Sequence, residues 1–269
     1  MKKNTDFVFV TLVYRNHVDL YEFCDGLRKN ITDNYEVVVV DAFYNQETSL
    51  KIRECAEKLN CHYLQIKNGG YGYGNNRGID YAKEMFNYKY IGICNPDTIL
   101  KSKVSLEILK DAAVIAPNII ARDGKRQNPY WFCENEISEY LIYKGYQNGS
   151  KLFLYMGIGI NKIIRDFLNI FTSYSKKTMI PIYACHGSFF IISSQFLKKS
   201  GFRYDENIFL FYEEACLAKE VRKNKYRIFY FPNIIVKHKE DGSMNLANIK
   251  EYPHLKKSYM YYYEKYRKQ

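Results

Sequence analysis

Regular alternation of strand-like and helix-like segments over the first hundred residues constrains the fold more than any other feature of the sequence. Short apolar runs typical of buried strands alternate with segments whose apolar residues recur every three or four positions, as on an amphipathic helix. The predicted strands cover residues 7–14, 36–43, 61–67 and 88–97, with a helix between each consecutive pair. This order predicts a parallel sheet with helices on both faces.

Polar residues follow three of these strands. Asp41 lies near the end of the second strand, Asn68 follows the third, and Asp97 follows the fourth. In parallel sheets, ligands bind beyond the carboxyl ends of the strands, which lie along one edge. We therefore expect these three residues to share the edge that carries the binding site.

The composition narrows the class of protein. With 269 residues, of which 47% are hydrophobic, the chain is long enough to bury its own core. Charged residues interrupt the longest apolar stretch, so no transmembrane helix is predicted. The first residues lack a cleavage site, and the seven cysteines form no C-x-x-C pair. We expect a cytoplasmic protein with reduced thiols and no secretory signal.

The net charge of +11 favours an anionic partner, which could be nucleic acid, an anionic membrane or a phosphorylated substrate. Much of the positive charge lies in residues 247–269, where lysines and tyrosines interleave. Two interpretations stay open for this tail: helical packing of its tyrosines on the domain, and contact with a membrane surface. Stacking on nucleic acid is less favoured.

A glycine-rich stretch, NGGYGYGNNRG, covers residues 68–78. Glycines permit positive φ and close backbone approach, and the N–H groups at a helix start can bind phosphate. Gly72, Gly74 and Gly78 have the spacing of a dinucleotide-binding loop, although that loop normally follows the first strand of its unit. The alternative is a tight turn before a helix that is capped by Asn75 or Asn76.

Acidic residues and a histidine provide further candidates. Asp97, in ICNPDTIL, can hold a divalent cation together with diphosphate oxygens, or it can form an ordinary Asx turn. Glu213 and Glu214 fall in the first turn of a predicted helix, where carboxylates also suit the helix dipole. Only one of two adjacent residues can project into a cleft as a general base. His238 follows a strand, where packing is the commoner role.

Taken in order, these motifs resemble one family. The order is an acid after strand two, the Asn/Gly-rich loop, N-P-D, G-x-F, D-E-x-x-F-L-x-Y-E-E and a late H-x-x-x-G-S. The set is similar to the inverting glycosyltransferases of family 2, and most similar to their rhamnosyltransferase-like branch. The resemblance runs from about residue 8 to about residue 243, with a gap over 125–182. It implies the GT-A fold, a Rossmann-like, mostly parallel sheet with helices on both faces.

The resemblance implies roles on the donor side. Asp41 would recognise the nucleobase, and residues 68–76 would border the nucleotide and sugar. Asp97 would hold Mn²⁺ or Mg²⁺ on the donor diphosphate, and His238 would approach that metal. Asn95 stands where the family often has the first acid of a D-x-D motif. The full nucleotide-sugar set is Thr11, Tyr14, Asp41, Asn68, Gly70, Tyr71, Gly72, Asn75, Asn76, Asn95 and Asp97.

The resemblance also implies an acceptor side and a base. His186, Gly187 and Ser188 match the acceptor-side segment of the family. Glu214 occupies the position of the usual base. Because Glu214 is one methylene longer than the usual Asp, Glu213 stays open as the alternative.

The prediction is thus a single GT-A domain over residues 1–269. It comprises a nucleotide-sugar half (1–124), a variable acceptor-side segment (125–182), a half with the base (183–246) and the basic tail (247–269). The expected function is transfer of a sugar from a nucleoside-diphosphate sugar to a glycan or lipid-linked acceptor in bacterial surface polysaccharide or capsule synthesis. Peripheral contact with the inner face of the plasma membrane stays open, and no nucleic acid partner is expected.

Two other classes of protein also stay open. A nucleotide-dependent oxidoreductase would bind a dinucleotide around Gly72, Gly74 and Gly78, although that chemistry does not require N-P-D or the glutamate pair. A basic nucleic-acid-binding protein would agree with the charge, although base-reading motifs are missing.

Overall fold

The strands form one large mixed sheet and a small separate pair. A computed structural model describes residues 1–174, 176–240 and 251–268. In these ranges the strands are β1 (Lys3–Asn4), β2 (Phe7–Val13), β3 (Tyr35–Phe43), β4 (His62–Lys67), β5 (Phe86–Asn87), β6 (Tyr90–Cys94), β7 (Thr98–Leu100), β8 (Val114–Ile120), β9 (Ile180–Ile182), β10 (Phe189–Ser193) and β11 (Ile228–His238). The large sheet has the order β4-β3-β2-β6-β10-β8-β11-β7, and β9 pairs with β11.

The helices fill the connections between these strands. They are α1 (Asp19–Asn30), α2 (Gln46–Lys58), α3 (Tyr71–Met85), α4 (Leu106–Leu109), α5 (Glu136–Asn148), α6 (Lys151–Tyr174), α7 (Ser194–Ser200), α8 (Glu213–Lys223) and α9 (Glu251–Tyr266). Side chains cap several of them: Asn45 accepts a hydrogen bond from the Thr48 N–H at the start of α2, and Asn135 does so from Ser138 at α5.

The predicted parallel half of the sheet is confirmed. Strands β2, β3, β4 and β6 pair in parallel, and β10 joins β6 in antiparallel orientation. Alternate residues of each strand face opposite layers. Phe7 and Phe9 pack with α1 and α2, whereas Val8 and Val10 pack with α3, α7 and α8. Helices therefore cover both faces, and the carboxyl ends of the parallel strands meet along one edge.

Most of the glycine-rich stretch lies inside α3 instead of preceding it. The helix begins at Tyr71, so neither Asn75 nor Asn76 caps it; the cap position is Gly70, whose φ is 96°. The close approach of α3 to the sheet explains two of the glycines. A Cβ on Gly78 would lie 2.2 Å from Val10 Cγ1, and one on Gly74 would lie 2.4 Å from Leu12 Cδ1.

Residues 125–182, whose structure the sequence pattern did not predict, contribute α5 and α6. These helices pack with α8 and α9 in a third apolar cluster. Tyr259 and Tyr262 of α9 are fully buried there, so the tail tyrosines at these positions pack on the domain. Residues 247–250 of the predicted tail and the Gly242 and Ser243 end of the last motif lie outside the described residues. In the described residues, no helix is both long enough and apolar enough to cross a membrane.

Candidate active site

A cavity of about 560 Å³ lies at the carboxyl edge of the parallel strands. Its walls come from the β6–β7 turn, the start of α3, residues 186–188 and residues 209–214. Twelve of the seventeen predicted site residues line it, namely Tyr14, Asn68, Gly70, Tyr71, Asn95, Asp97, His186, Gly187, Ser188, Glu213, Glu214 and His238. Residues far apart in sequence thus meet in one cleft.

The other five predicted residues lie behind the cavity wall. Thr11, Asp41, Asn75 and Asn76 are buried, and Gly72 packs against Tyr204 in the first turn of α3. Asp41 accepts a hydrogen bond of 2.7 Å from the Tyr63 hydroxyl, while its Oδ1 has no partner. The Asn76 side chain instead accepts a hydrogen bond from the Tyr204 N–H and donates one to the Tyr204 C=O. These two hydrogen bonds hold α3 against the loop that leads to α8. The roles predicted for these five stay predictions.

Asp97 and His238 are brought together by strand register. A backbone turn closes where the Thr98 N–H donates to the Asn95 carbonyl at 3.2 Å. Strand β7 then pairs with β11 so that Thr98 lies opposite His238. As a result, His238 Nε2 lies 3.4 Å from Asp97 Oδ2.

This pair has the chemistry of a cation site. His238 Nδ1 lies 2.7 Å from Gln127 Oε1, an acceptor, so in the neutral imidazole Nδ1 carries the proton and Nε2 presents a lone pair. The facing Asp97 Oδ2 is buried and has no hydrogen-bond partner. Two electron-pair donors that face each other fit a divalent cation. The described residues contain no group of three or more metal-ligating side chains, so oxygens of a bound ligand would have to complete the coordination.

Glu214 is held at the cavity wall by Gly187. The Gly187 N–H donates to Glu214 Oε1 at 3.1 Å, and the Tyr71 hydroxyl donates to the Gly187 carbonyl at 2.7 Å. A Cβ on Gly187 would lie 2.5 Å from Glu214 Oε1, so a larger residue there would displace this carboxylate. Burial raises the pKa of Glu214, and the N–H groups of Gly187 and Glu214 offset part of that rise. A carboxylate with a raised pKa suits general base catalysis near neutral pH.

The neighbouring Glu213 has a different environment. It is buried, and its Oε1 has no hydrogen-bond partner. Burial, reinforced by the charge of Glu214, raises its pKa well above the usual carboxyl range. Backbone N–H groups of Phe211 and Glu213 offset part of this rise. Because the charge of Glu214 adds to the effect of burial, Glu213 favours the neutral form more strongly than Glu214 does.

His186 adds a neutral imidazole beside the cation site. The Ser188 N–H donates to His186 Nδ1 at 3.2 Å, so the ring proton lies on Nε2. Burial and the nearby His238 lower the pKa of His186 to about 4, although Asp97 opposes this shift. At neutral pH the ring therefore donates one hydrogen bond without carrying charge.

Several cavity residues were missed by the sequence prediction. Gln127 orients His238, and Tyr130 lines the cavity with its ring 5.7 Å from that of His186. Both lie in the stretch where the strand and helix pattern breaks down, so no local signal marked them. Asn16 and Asp19 also line the cavity and are joined by a 2.6 Å hydrogen bond.

Comparison with known proteins identifies the family. The family model of glycosyl transferase family 2 matches residues 9–199, which span β2 to α7 and thus the whole parallel half of the sheet. The chain belongs to glycosyl transferase family 2. This agrees with the resemblance found in the sequence, and nothing in the comparisons supports an oxidoreductase or a nucleic-acid-binding protein.

Two curated relatives are sugar transferases by name. The chain is 23% identical over 229 residues to the low-salt glycan biosynthesis hexosyltransferase Agl10 of Haloferax volcanii, covering 83% of this chain and 64% of that protein. It is also 23% identical over 241 residues to the rhamnosyltransferase WbbL of Escherichia coli K12, covering 84% and 80%. The chain thus spans less than two thirds of the first relative and four fifths of the second.

Solved structures show the same fold. The S. aureus TarS 1–349 complex with UDP superposes with a TM-score of 0.56 at 14% identity, covering 87% of this chain and 60% of that one. GalNAc-T7 with UDP, GalNAc and Mn²⁺ superposes with a TM-score of 0.56 at 15% identity, covering 87% and 44%. The predicted GT-A fold is confirmed.

Proposed function

We propose that the protein is an inverting glycosyltransferase that moves a sugar from a nucleoside-diphosphate sugar to a hydroxyl of a glycan or lipid-linked acceptor. One observation carries the proposal: a single cavity combines the Asp97 and His238 pair with the half-buried carboxylate of Glu214. The first can hold a diphosphate through a cation, and the second can accept a proton. Family membership and the names of the two relatives support the same activity.

Each residue has a defined part in the proposed reaction. Asp97 and His238 would hold Mn²⁺ or Mg²⁺, and such a cation would supply positive charge that stabilises the leaving diphosphate. Glu214 takes the proton of the acceptor hydroxyl while that oxygen bonds to the anomeric carbon from the face opposite the diphosphate. The bond from the anomeric carbon to the diphosphate oxygen breaks in the same step, so the configuration inverts. His186 donates a hydrogen bond within the site without adding charge.

The donor and setting are proposed from the relatives. Fold neighbours are described with UDP or UDP-GlcNAc, and one with Mn²⁺. We infer a donor of the same chemical class, with Asp41 near the nucleobase. The name of Agl10 supports a place in glycan biosynthesis, and that of WbbL supports transfer of a sugar. We infer that the glycan belongs to the cell surface, where peripheral contact with the inner membrane face would bring the enzyme to a lipid-linked acceptor.

A donor panel tests the proposal. Hydrolysis or transfer would be measured with UDP-, GDP- and dTDP-sugars, with and without a chelator, in the wild type and in Asp97→Ala. We expect activity with one donor class, loss of activity with chelator, and loss of metal-dependent donor binding in Asp97→Ala by calorimetry. Glu47→Gln, on the exposed face of α2, serves as the matched control. If the enzyme turns over none of these sugar nucleotides, the proposed function is wrong. If Asp97→Ala binds the donor as tightly as the wild type, the assignment of Asp97 as a metal ligand is wrong.

A further inference from the structure

The outer face of α6 exposes an apolar stripe along most of its length. The large side chains of the stripe are 46–71% exposed. Successive members are three, four or seven residues apart, so they share one side of the helix: Leu152, Met156, Ile163, Phe167 and Ile170. At 1.5 Å per residue the stripe is about 27 Å long. The opposite face packs on α5, where Leu154 is buried and a Cβ on Gly157 would lie 2.6 Å from Ile142 Cγ1. An exposed apolar patch of this length commonly marks an interaction site.

Positive charge borders this stripe. Residues 151–178 contain five basic side chains and one acid, Asp166. Helical spacing places Lys151, Lys162 and Arg165 along one side of the apolar face. A wide apolar face with aromatic residues and a lysine- and arginine-rich border is typical of helices that lie in the interface of an anionic bilayer.

A second copy of the chain fits this face less well because of its charge. With Ile160 and Phe167 at the intervening positions, the apolar spacing itself would allow two such helices to pair. A second copy would, however, bring the same basic border to the contact, whereas anionic headgroups neutralise that border. The charge therefore favours a lipid surface.

We propose that the outer face of α6 docks on an anionic lipid surface. The α9 tyrosines at positions 259 and 262 are buried and therefore do not contribute to this contact. Burial of the apolar stripe supplies affinity, and the basic border adds attraction to anionic headgroups.

Docking through α6 would also give an acceptor a route to the active site, a step that rests on the proposed function. A second cavity, of about 620 Å³, is lined by Arg165 and Asn169 of α6. Its lining also includes Tyr130 and His186, which line the active-site cavity as well. An acceptor anchored in the lipid could therefore extend along this groove towards Glu214.

Vesicle flotation of the full chain tests the docking surface, without donor or acceptor. Vesicles of phosphatidylcholine alone would be compared with vesicles containing about 30% phosphatidylglycerol. We expect the wild type to float with anionic vesicles, and Ile163→Asp/Phe167→Asp to bind them at least about tenfold more weakly. The matched control is Leu50→Asp/Met85→Asp, which changes two exposed apolar residues on α2 and α3 and should bind like the wild type.

The outcomes separate docking from catalysis. If the α6 variant floats with anionic vesicles as well as the wild type does, the proposal is overturned. It is also overturned if the wild type does not bind vesicles but forms concentration-dependent dimers that the variant does not form. Unchanged thermal melting and donor affinity of the variant would show that docking alone was lost. If the double variant folds poorly, Lys162→Glu tests the same face. Binding of this variant to anionic vesicles as strongly as the wild type would contradict the role proposed for the basic border.

Discussion

At the scale of single residues, two adjacent glutamates differ in what stabilises their charge. Glu214 accepts a hydrogen bond from the Gly187 N–H, whereas one carboxylate oxygen of the buried Glu213 has no hydrogen-bond partner. We expect Glu214→Gln to lower kcat by about 100-fold or more, with little change in donor KM, because a general base acts mainly in the transition state. Glu213→Gln should keep most of the activity. Steady-state kinetics measure both, and the reverse order would transfer the base role to Glu213.

The raised pKa of Glu214 predicts a pH dependence. Burial disfavours the ionised carboxylate, so the base form is lost as the pH falls through a value above the usual 4.5. The kcat/KM of the wild type should therefore rise with pH on its acidic side, with a midpoint above the ordinary carboxyl range. A pH profile at saturating metal measures this limb. A midpoint at or below 4.5 would contradict the environment described for Glu214.

At the scale of elements, α3 shows what periodicity alone could and could not predict. The strand and helix order of the first hundred residues was predicted because each apolar stripe matches one sheet face. The start of α3 was predicted too late, since its glycines and asparagines have low intrinsic helix propensity. Contacts distant in sequence override that propensity: Asn76 bonds to Tyr204, and the glycines allow close packing on β2.

The packing of α3 predicts opposite effects of two glycine substitutions. Gly78→Ala would force a Cβ within 2.2 Å of Val10 Cγ1 and 3.0 Å of Val40 Cγ2. We expect it to lower the free energy of unfolding by about 1–3 kcal/mol through overpacking. Gly159→Ala in α6 meets nothing within 4 Å and should raise stability by up to about 1 kcal/mol. Urea unfolding would distinguish them, and a neutral Gly78→Ala would show that α3 can move away from the sheet.

At the scale of the whole molecule, the site is assembled from the predicted sheet and an unpredicted helical layer. Asp97 could be predicted because it ends an apolar strand. The role of Gln127 could not, because it depends on the pairing that places β11 and His238 beside residues 121–130. The packing of α5, α6 and α9 likewise depends on contacts more than 100 residues apart, such as the Tyr259 hydroxyl that donates to the Glu139 carbonyl at 2.6 Å.

This helical layer also supports the start of α8. Tyr259 is fully buried, and its ring lies 4.7 Å from that of Tyr212, which immediately precedes Glu213 and has a φ of 70°. Tyr259→Ala should therefore cost about 3–5 kcal/mol of unfolding free energy. It should also lower kcat in the protein that remains folded, because the backbone that positions both glutamates loses its packing partner. Tyr252→Ala, at a position 59% exposed on the same helix, is the control and should change neither quantity appreciably. Chemical unfolding combined with kinetics below the unfolding transition measures both effects, and full activity of folded Tyr259→Ala would show that α9 stabilises the fold without positioning the catalytic helix.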